Sequence, residues 1–156
     1  MYRLRDPHFE LPDLQPFHLG RVRDLVRRYS VDNRSPTAAK FTIECHPIWR
    51  LEASSGLGGP GVYILSDPRF IPLYLGKASV RSTIGARIRT KVRHKPPHWG
   101  EDWVYNAIII RVGRPYEAPS LEEFLLGEIP IKYNVQGRTA FRRIPVWPSE
   151  WMEERA

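Results

Sequence analysis

The chain has 156 residues, with 24 Lys and Arg against 17 Asp and Glu, a net charge of +7 and a pI near 9.9. That length suits one domain that buries a core without disulfides or a structural metal, and 42% hydrophobic with 26% charged residues excludes a disordered or collagenous chain. No apolar run reaches the ~18 residues of a membrane span, the N-terminus lacks the apolar segment of a signal peptide, and the single Cys45 excludes an internal disulfide, so a cytoplasmic protein is expected.

In chain order, Val22, Leu25, Val26 and Tyr29 recur at helical spacing among four arginines and predict an amphipathic helix over Gly20–Tyr29. Phe41–His46 alternates apolar and polar residues and predicts a short strand stopped by Pro47. Ser54–Pro60 is a loop by composition. Gly61–Leu65 and Leu73–Gly76 predict a hairpin across the turn Ser66-Asp-Pro-Arg69, with Tyr63 and Tyr74 on neighbouring strands. Ile84, Ile88 and Val92 mark a helix that must end before Pro96-Pro97. Trp103–Val112, with Ile108-Ile-Ile, predicts a buried strand, and Ser120–Glu128 a helix closed by Pro130. The expected class is α/β: a small three-stranded, mostly antiparallel sheet flanked by helices in the order β-β-α-β-α, over residues 60–137. Residues 1–59 form an N-terminal α/β extension packed on it, and 138–156 a tail whose Trp147 and Trp151 are expected to pack onto the core.

Charge is concentrated in the middle of the chain. Residues 61–113 carry nine basic and three acidic side chains, a net +6, while the flanks come close to cancelling. Between Pro68 and Gly100 there is no acid, but Arg69, Lys77, Arg81, Arg87, Arg89, Lys91, Arg93 and Lys95 all lie there, with Tyr74 and Trp99 among them. Such a one-signed stretch is the footprint of a surface that meets a polyanion or, more blandly, of a solvated helix face. His94 and His98 have zinc-like spacing, but the intervening prolines forbid the helix that would aim both at one ion.

The last helix carries the most informative side chain. Ser120 and Glu123 have capping-box spacing, which gives Glu123 a structural task. At about 100° per residue, Glu122 falls between Leu125 and Leu126 on the apolar arc. A carboxylate turned towards the protein needs a cation or a metal as partner.

Gly61-Val-Tyr63 followed after ten residues by Tyr74-Leu-Gly76 resembles the signature of the GIY-YIG nucleases. Lys77-Ala directly after the second motif, Arg87 in the next helix, Leu121-Glu122 in the later one and Lys132-Tyr-Asn134 beyond it follow in the same order. The resemblance covers about half the chain, and its last two motifs are spaced as in the nuclease domain of the bacterial excision-repair protein.

The resemblance implies a metal-dependent DNA endonuclease that leaves 5′-phosphate and 3′-hydroxyl ends. It implies Glu122 as the ligand of one Mg²⁺ or Mn²⁺ held largely through water, and Arg87 as the cation on the transition-state phosphate. Tyr63 would be the base or relay for the attacking water, Tyr74 its orienter or a phosphate contact, Lys77 the cation that assists the phenol, and Asn134 a brace of the site. Arg87 lies thirteen residues after Tyr74, about three more than is common, so Ser79–Thr83 carries an insertion and Arg89 competes for the role. Arg81, Arg89, Lys91, Arg93 and Lys95 are the candidate DNA contacts, Lys91 standing where some restriction-type relatives have histidine. The short chain argues against the multidomain repair proteins and leaves restriction, DNA processing, a mobile element or a nuclease toxin. The reading from another class is a catalytically inactive nucleic-acid-binding module. Double-strand cutting by a single-site enzyme often pairs two subunits, so a homodimer is an expectation.

Overall fold

A computed structural model describes residues 16, 18–32, 41–53 and 57–133. Its centre is β2 (Gly61–Ser66), paired antiparallel with β3 (Pro72–Ala78) on one side and with β4 (Asn106–Arg111) on the other. A strand covered on both faces cannot alternate. Every residue of β2 is buried, and so are Asn106–Ile110 of β4, which is why these stretches read as continuous apolar runs.

The expected three strands are corrected to four. β1 (Thr42–Pro47), from the N-terminal extension, pairs antiparallel with the free edge of β4, giving the order β1-β4-β2-β3. Periodicity showed the strand in the sequence; its neighbour is a long-range pairing that periodicity does not encode. Pro47 ends β1 opposite Asn106 rather than stopping the strand before it, which an edge strand tolerates. Glu44 fastens β1 to the sheet, contacting His46 Nε2 at 2.9 Å and Arg111 Nε at 3.4 Å.

Helices cover both faces. α1 (Leu19–Asp32) and α4 (Glu117–Glu128) pack on Val62, Ile64, Leu75, Ile108 and Ile110. The four apolar positions foreseen on α1 are the four it buries. The opposite face, with Tyr63, Leu65, Ala107 and Ile109, is covered by α2 (Ile48–Ala53), α3 (Ile84–Arg93) and Trp99 from the 3₁₀ turn Pro97–Trp99. Each fully buried Leu or Ile contributes about 1.5–3 kcal/mol, so the two layers hold the sheet between them.

Two boundaries differ from expectation for identifiable reasons. α4 begins at Glu117, not Ser120, because Pro119 fits the first helical turn, where its missing N–H has no partner to lose. Ser120 and Glu123 therefore form no capping box at the helix start; the Tyr29 hydroxyl of α1 instead donates to Ser120 Oγ at 2.8 Å. β4 begins at Asn106 rather than Trp103. The preceding loop is held by Lys95, whose Nζ donates to the carbonyls of Gly100 (2.8 Å) and Asp102 (2.9 Å). α3 starts at its Thr83 cap and ends at Arg93, ahead of the proline pair. No helix among the described residues is long and apolar enough to cross a membrane. Asn134 and the tail with Trp147 and Trp151 lie outside the described residues.

Candidate active site

The hairpin register sets the two tyrosines side by side. Tyr63 lies opposite Gly76, and Tyr74 opposite Leu65, so both rings share one face of the sheet with centroids 6.2 Å apart. Gly76 is glycine for a steric reason: a Cβ there would lie 2.5 Å from the Tyr63 hydroxyl and 2.8 Å from Tyr74 Cε1. Tyr63 crosses its neighbour's backbone where a side chain would stand. Gly76→Ala is expected to push both rings out of place at a cost of about 1–3 kcal/mol, measured by urea unfolding. Wild-type stability and an unchanged near-ultraviolet spectrum would contradict the close approach.

Beyond Tyr74 the aromatic contacts continue. The Trp99 ring lies 6.1 Å from Tyr74 and stacks on Tyr133 at 4.9 Å and 13°. Lys91 lies over the Tyr74 ring, its Nζ 4.0 Å from the centroid, and 5.7 Å from that of Trp99. Removal from water lowers the pKa of Lys91. Its ammonium thus sits on a π-face at the site.

Both phenols are held neutral. Burial, above all, raises the Tyr63 pKa; the Tyr74 phenol and the Glu122 charge add to the rise, and the Arg87 guanidinium opposes it. Burial and Glu122 likewise raise Tyr74, again against Arg87. Arg87 is exposed on α3, and its Nε donates to Ser82 Oγ at 3.2 Å, so the longer Ser79–Thr83 loop braces it. The Arg89 Nε instead donates to Gly85 O of its own helix at 3.3 Å. Of the two arginines, Arg87 is the one whose charge acts on both tyrosines.

Glu122 is half-buried and Glu123 exposed, as the helical wheel requires. Lys77 lies opposite Val62 on β3, on the face turned to α4, and its Nζ stands 3.1 Å from Glu122 Oε2. The expected role of Lys77 is corrected accordingly: its ammonium pairs with the carboxylate, not with a phenol, because alternation along β3 sends it to the other face from Tyr74. β3 is the edge strand, so the two faces meet at its open side, and the Glu122 charge still reaches both tyrosines.

Among the candidate DNA contacts, Arg81 and Arg93 are exposed. Lys95 also clamps the loop, its ammonium giving two of its three donors to carbonyls. His98 lies edge-on against Tyr133, ring centroids 5.5 Å apart.

One supporting cluster carried no sequence signal, because its members are about thirty positions apart. Asp102 Oδ2 accepts hydrogen bonds from Lys132 Nζ and from the Tyr133 hydroxyl, each at 2.5 Å. The backbone N–H groups of Lys132 and Tyr133 donate to Pro72 and Leu73 of β3. Lys132 and Tyr133 are thereby pinned beside β3. Burial opposes the Asp102 charge, but the bonds from Lys132 and Tyr133 and the Lys132 and Arg69 charges outweigh it, so its pKa lies below the ordinary carboxylate value. Such a group contributes stability above its unfolded pKa, about 3.9, which is lost as the pH falls through the lower folded value. Asp102→Asn is expected to lower stability at neutral pH by about 1–2 kcal/mol and to flatten the acid side of the stability curve below about pH 4. An unchanged acid slope in urea titrations would assign acid unfolding to other groups.

The described residues hold no group of three or more His, Cys, Asp and Glu side chains placed to share a metal. Glu122 is a single carboxylate with Oε2 towards Lys77, a donor set that fits a hard ion keeping most of its own water. No family model, curated protein or solved structure matches the chain.

Proposed function

We propose that the chain is a divalent-metal-dependent DNA endonuclease of the GIY-YIG kind. The observation that carries the reading is the hairpin, where the buried Tyr63 and half-buried Tyr74, ring centroids 6.2 Å apart, feel both the exposed Arg87 guanidinium and the Glu122 carboxylate, itself paired with Lys77. The hairpin, the arginine helix, the third strand of that unit and the carboxylate helix follow in the order the resemblance implies.

Glu122 would hold Mg²⁺ or Mn²⁺, and the ion would polarise the scissile phosphate and stabilise the leaving oxygen. Arg87 neutralises charge growing on the phosphate. Water attacks phosphorus as the bond to the 3′ oxygen breaks; the water's proton passes through the tyrosine pair to solvent, and the 3′ oxygen takes a proton from solvent to become the 3′ hydroxyl. Because burial keeps Tyr63 a phenol, it orients that water and relays its proton; it is not a standing phenolate. Tyr74, with Lys91 on its ring, lines the approach of the phosphate.

The rival reading is an inactive nucleic-acid-binding module on the same fold. It gives Glu122 only its ion pair with Lys77, and a carboxylate beside bound phosphate would weaken the binding that such a module exists to provide. Plasmid, a branched duplex and RNA incubated with the protein in Mg²⁺ and in EDTA separate the two. Nicked or linear DNA in Mg²⁺ and intact DNA in EDTA is the expected result. Binding with no cleavage of any substrate, in Mg²⁺ or Mn²⁺, would leave the binding module.

A further inference from the structure

The end of the sheet next to Tyr74 carries large aromatic side chains that the core does not use. Trp49 is 59% exposed, Trp103 51%, Tyr105 39% and Phe70 37%. Backbone bonds line them up along that end: Ile48 N donates to Tyr105 O, and Tyr105 N to Ser66 O, each at 2.8 Å, with Phe70 in the turn that follows Ser66. The Trp103 and Tyr105 rings meet edge to face at 5.4 Å.

Phe70 is the telling member. Asp67 Oδ1 accepts from the N–H groups of Arg69 (2.8 Å) and Ile71 (2.9 Å), and this turn leaves Phe70 at φ 64°, in the left-handed region that favours glycine. A bulky ring kept 37% exposed in a strained position offsets that strain with only part of its burial, and leaves an apolar face in solvent. Cations accompany the rings: the Arg50 guanidinium lies 5.8 Å from the centroid of Trp49, and Arg69, 80% exposed in the Phe70 turn, reaches Asp67 at 3.4 Å with one nitrogen and leaves the rest of its guanidinium to solvent.

We propose that Trp49, Phe70, Trp103 and Tyr105 form a stacking platform for unpaired bases, and that the favoured substrate has a single-stranded segment adjoining the cut. Aromatic faces with interspersed arginines bind single strands irrespective of sequence, because every base has a π-face and every nucleotide a phosphate. A paired base in a duplex offers no free face to them. The position also fits. Tyr74 lies opposite Leu65, one residue before Ser66, and Tyr105 is two strands away, so the platform begins roughly 10 Å from the tyrosine. That distance spans about three stacked bases at ~3.4 Å each.

The proposal rests on the nuclease reading only for where the cut lies. It is tested on the full chain carrying Glu122→Gln, by fluorescence anisotropy with a labelled oligothymidylate, a blunt duplex and the same duplex with a single-stranded tail. Tailed duplex is expected to bind more tightly than blunt. Phe70→Gly, which relieves the strained φ, and Trp103→Ala are each expected to weaken binding of the oligothymidylate and the tail about tenfold, leaving the blunt duplex unchanged. Equal affinity for tailed and blunt DNA, unmoved by either variant, would overturn the proposal. So would a shift from dimer to monomer in sedimentation on Trp103→Ala, which would make the platform a contact between copies. Platform-dependent binding without cleavage by the wild-type protein would sink the nuclease reading and leave this one standing. Cleavage indifferent to both platform variants would do the reverse.

Discussion

Glu122→Gln is expected to reduce DNA cleavage at least about a thousandfold while binding remains or tightens. The substitution keeps the side-chain volume and removes the carboxylate charge that acts on both Tyr63 and Tyr74 and that the proposal assigns to the divalent ion. Transition-state stabilisation by such an ion is worth several kcal/mol, and each 1.36 kcal/mol is about a decade in rate. Binding responds in the opposite sense. Lys77, freed from its 3.1 Å partner, becomes an uncompensated cation at the edge that phosphate approaches. The exposed Glu123 supplies the control, and Glu123→Gln should cleave at the wild-type rate. Cleavage by Glu122→Gln as fast as wild type would end the proposed mechanism. Binding lost together with cleavage would make Glu122 a structural residue.

Arg87→Ala is expected to lower cleavage about a hundredfold to a thousandfold, the range for losing one positioned charge donor at a transition state, and Arg89→Ala by less than about threefold. The two arginines flank the Ile84–Ile88–Val92 stripe symmetrically, so the sequence does not separate them. Their surroundings do. The Arg87 charge opposes the raised pKa of both tyrosines, whereas Arg89 donates back to its own helix. The reverse ranking would mean that the longer Ser79–Thr83 loop shifts the register of α3 when DNA binds.

Local patterns were reliable where one element decides its own fate. The i, i+3, i+4, i+7 spacing placed Val22, Leu25, Val26 and Tyr29 of α1 in the core, and the continuous apolar run placed Ile108–Ile110 in a covered strand. The helical wheel separated Glu122 from Glu123 because burial on a helix follows from angle alone. Hairpin spacing brought Tyr63 and Tyr74 to adjacent strands for the same reason, since a short turn leaves little freedom of register. Ser120 shows the limit of this kind of reading. Its spacing to Glu123 satisfied a local rule, but a proline one position earlier let the helix begin sooner and Tyr29 took the hydroxyl.

By itself the sequence determined the four strands, α1, α3 and α4 and the faces they bury, because periodicity and turn residues act over a few positions; the six-residue α2 is too short to show a period. Only the tertiary structure decided which groups meet. β1 joined β4 across some sixty positions, and Lys77 met Glu122 in place of a phenol. Asp102 pinned Lys132 and Tyr133 beside Trp99. Lys95 was drawn to two carbonyls. Each of these is a contact between residues whose separation carries no period, so its partner is set by how the layers pack and by which buried charge or unpaired carbonyl most needs one.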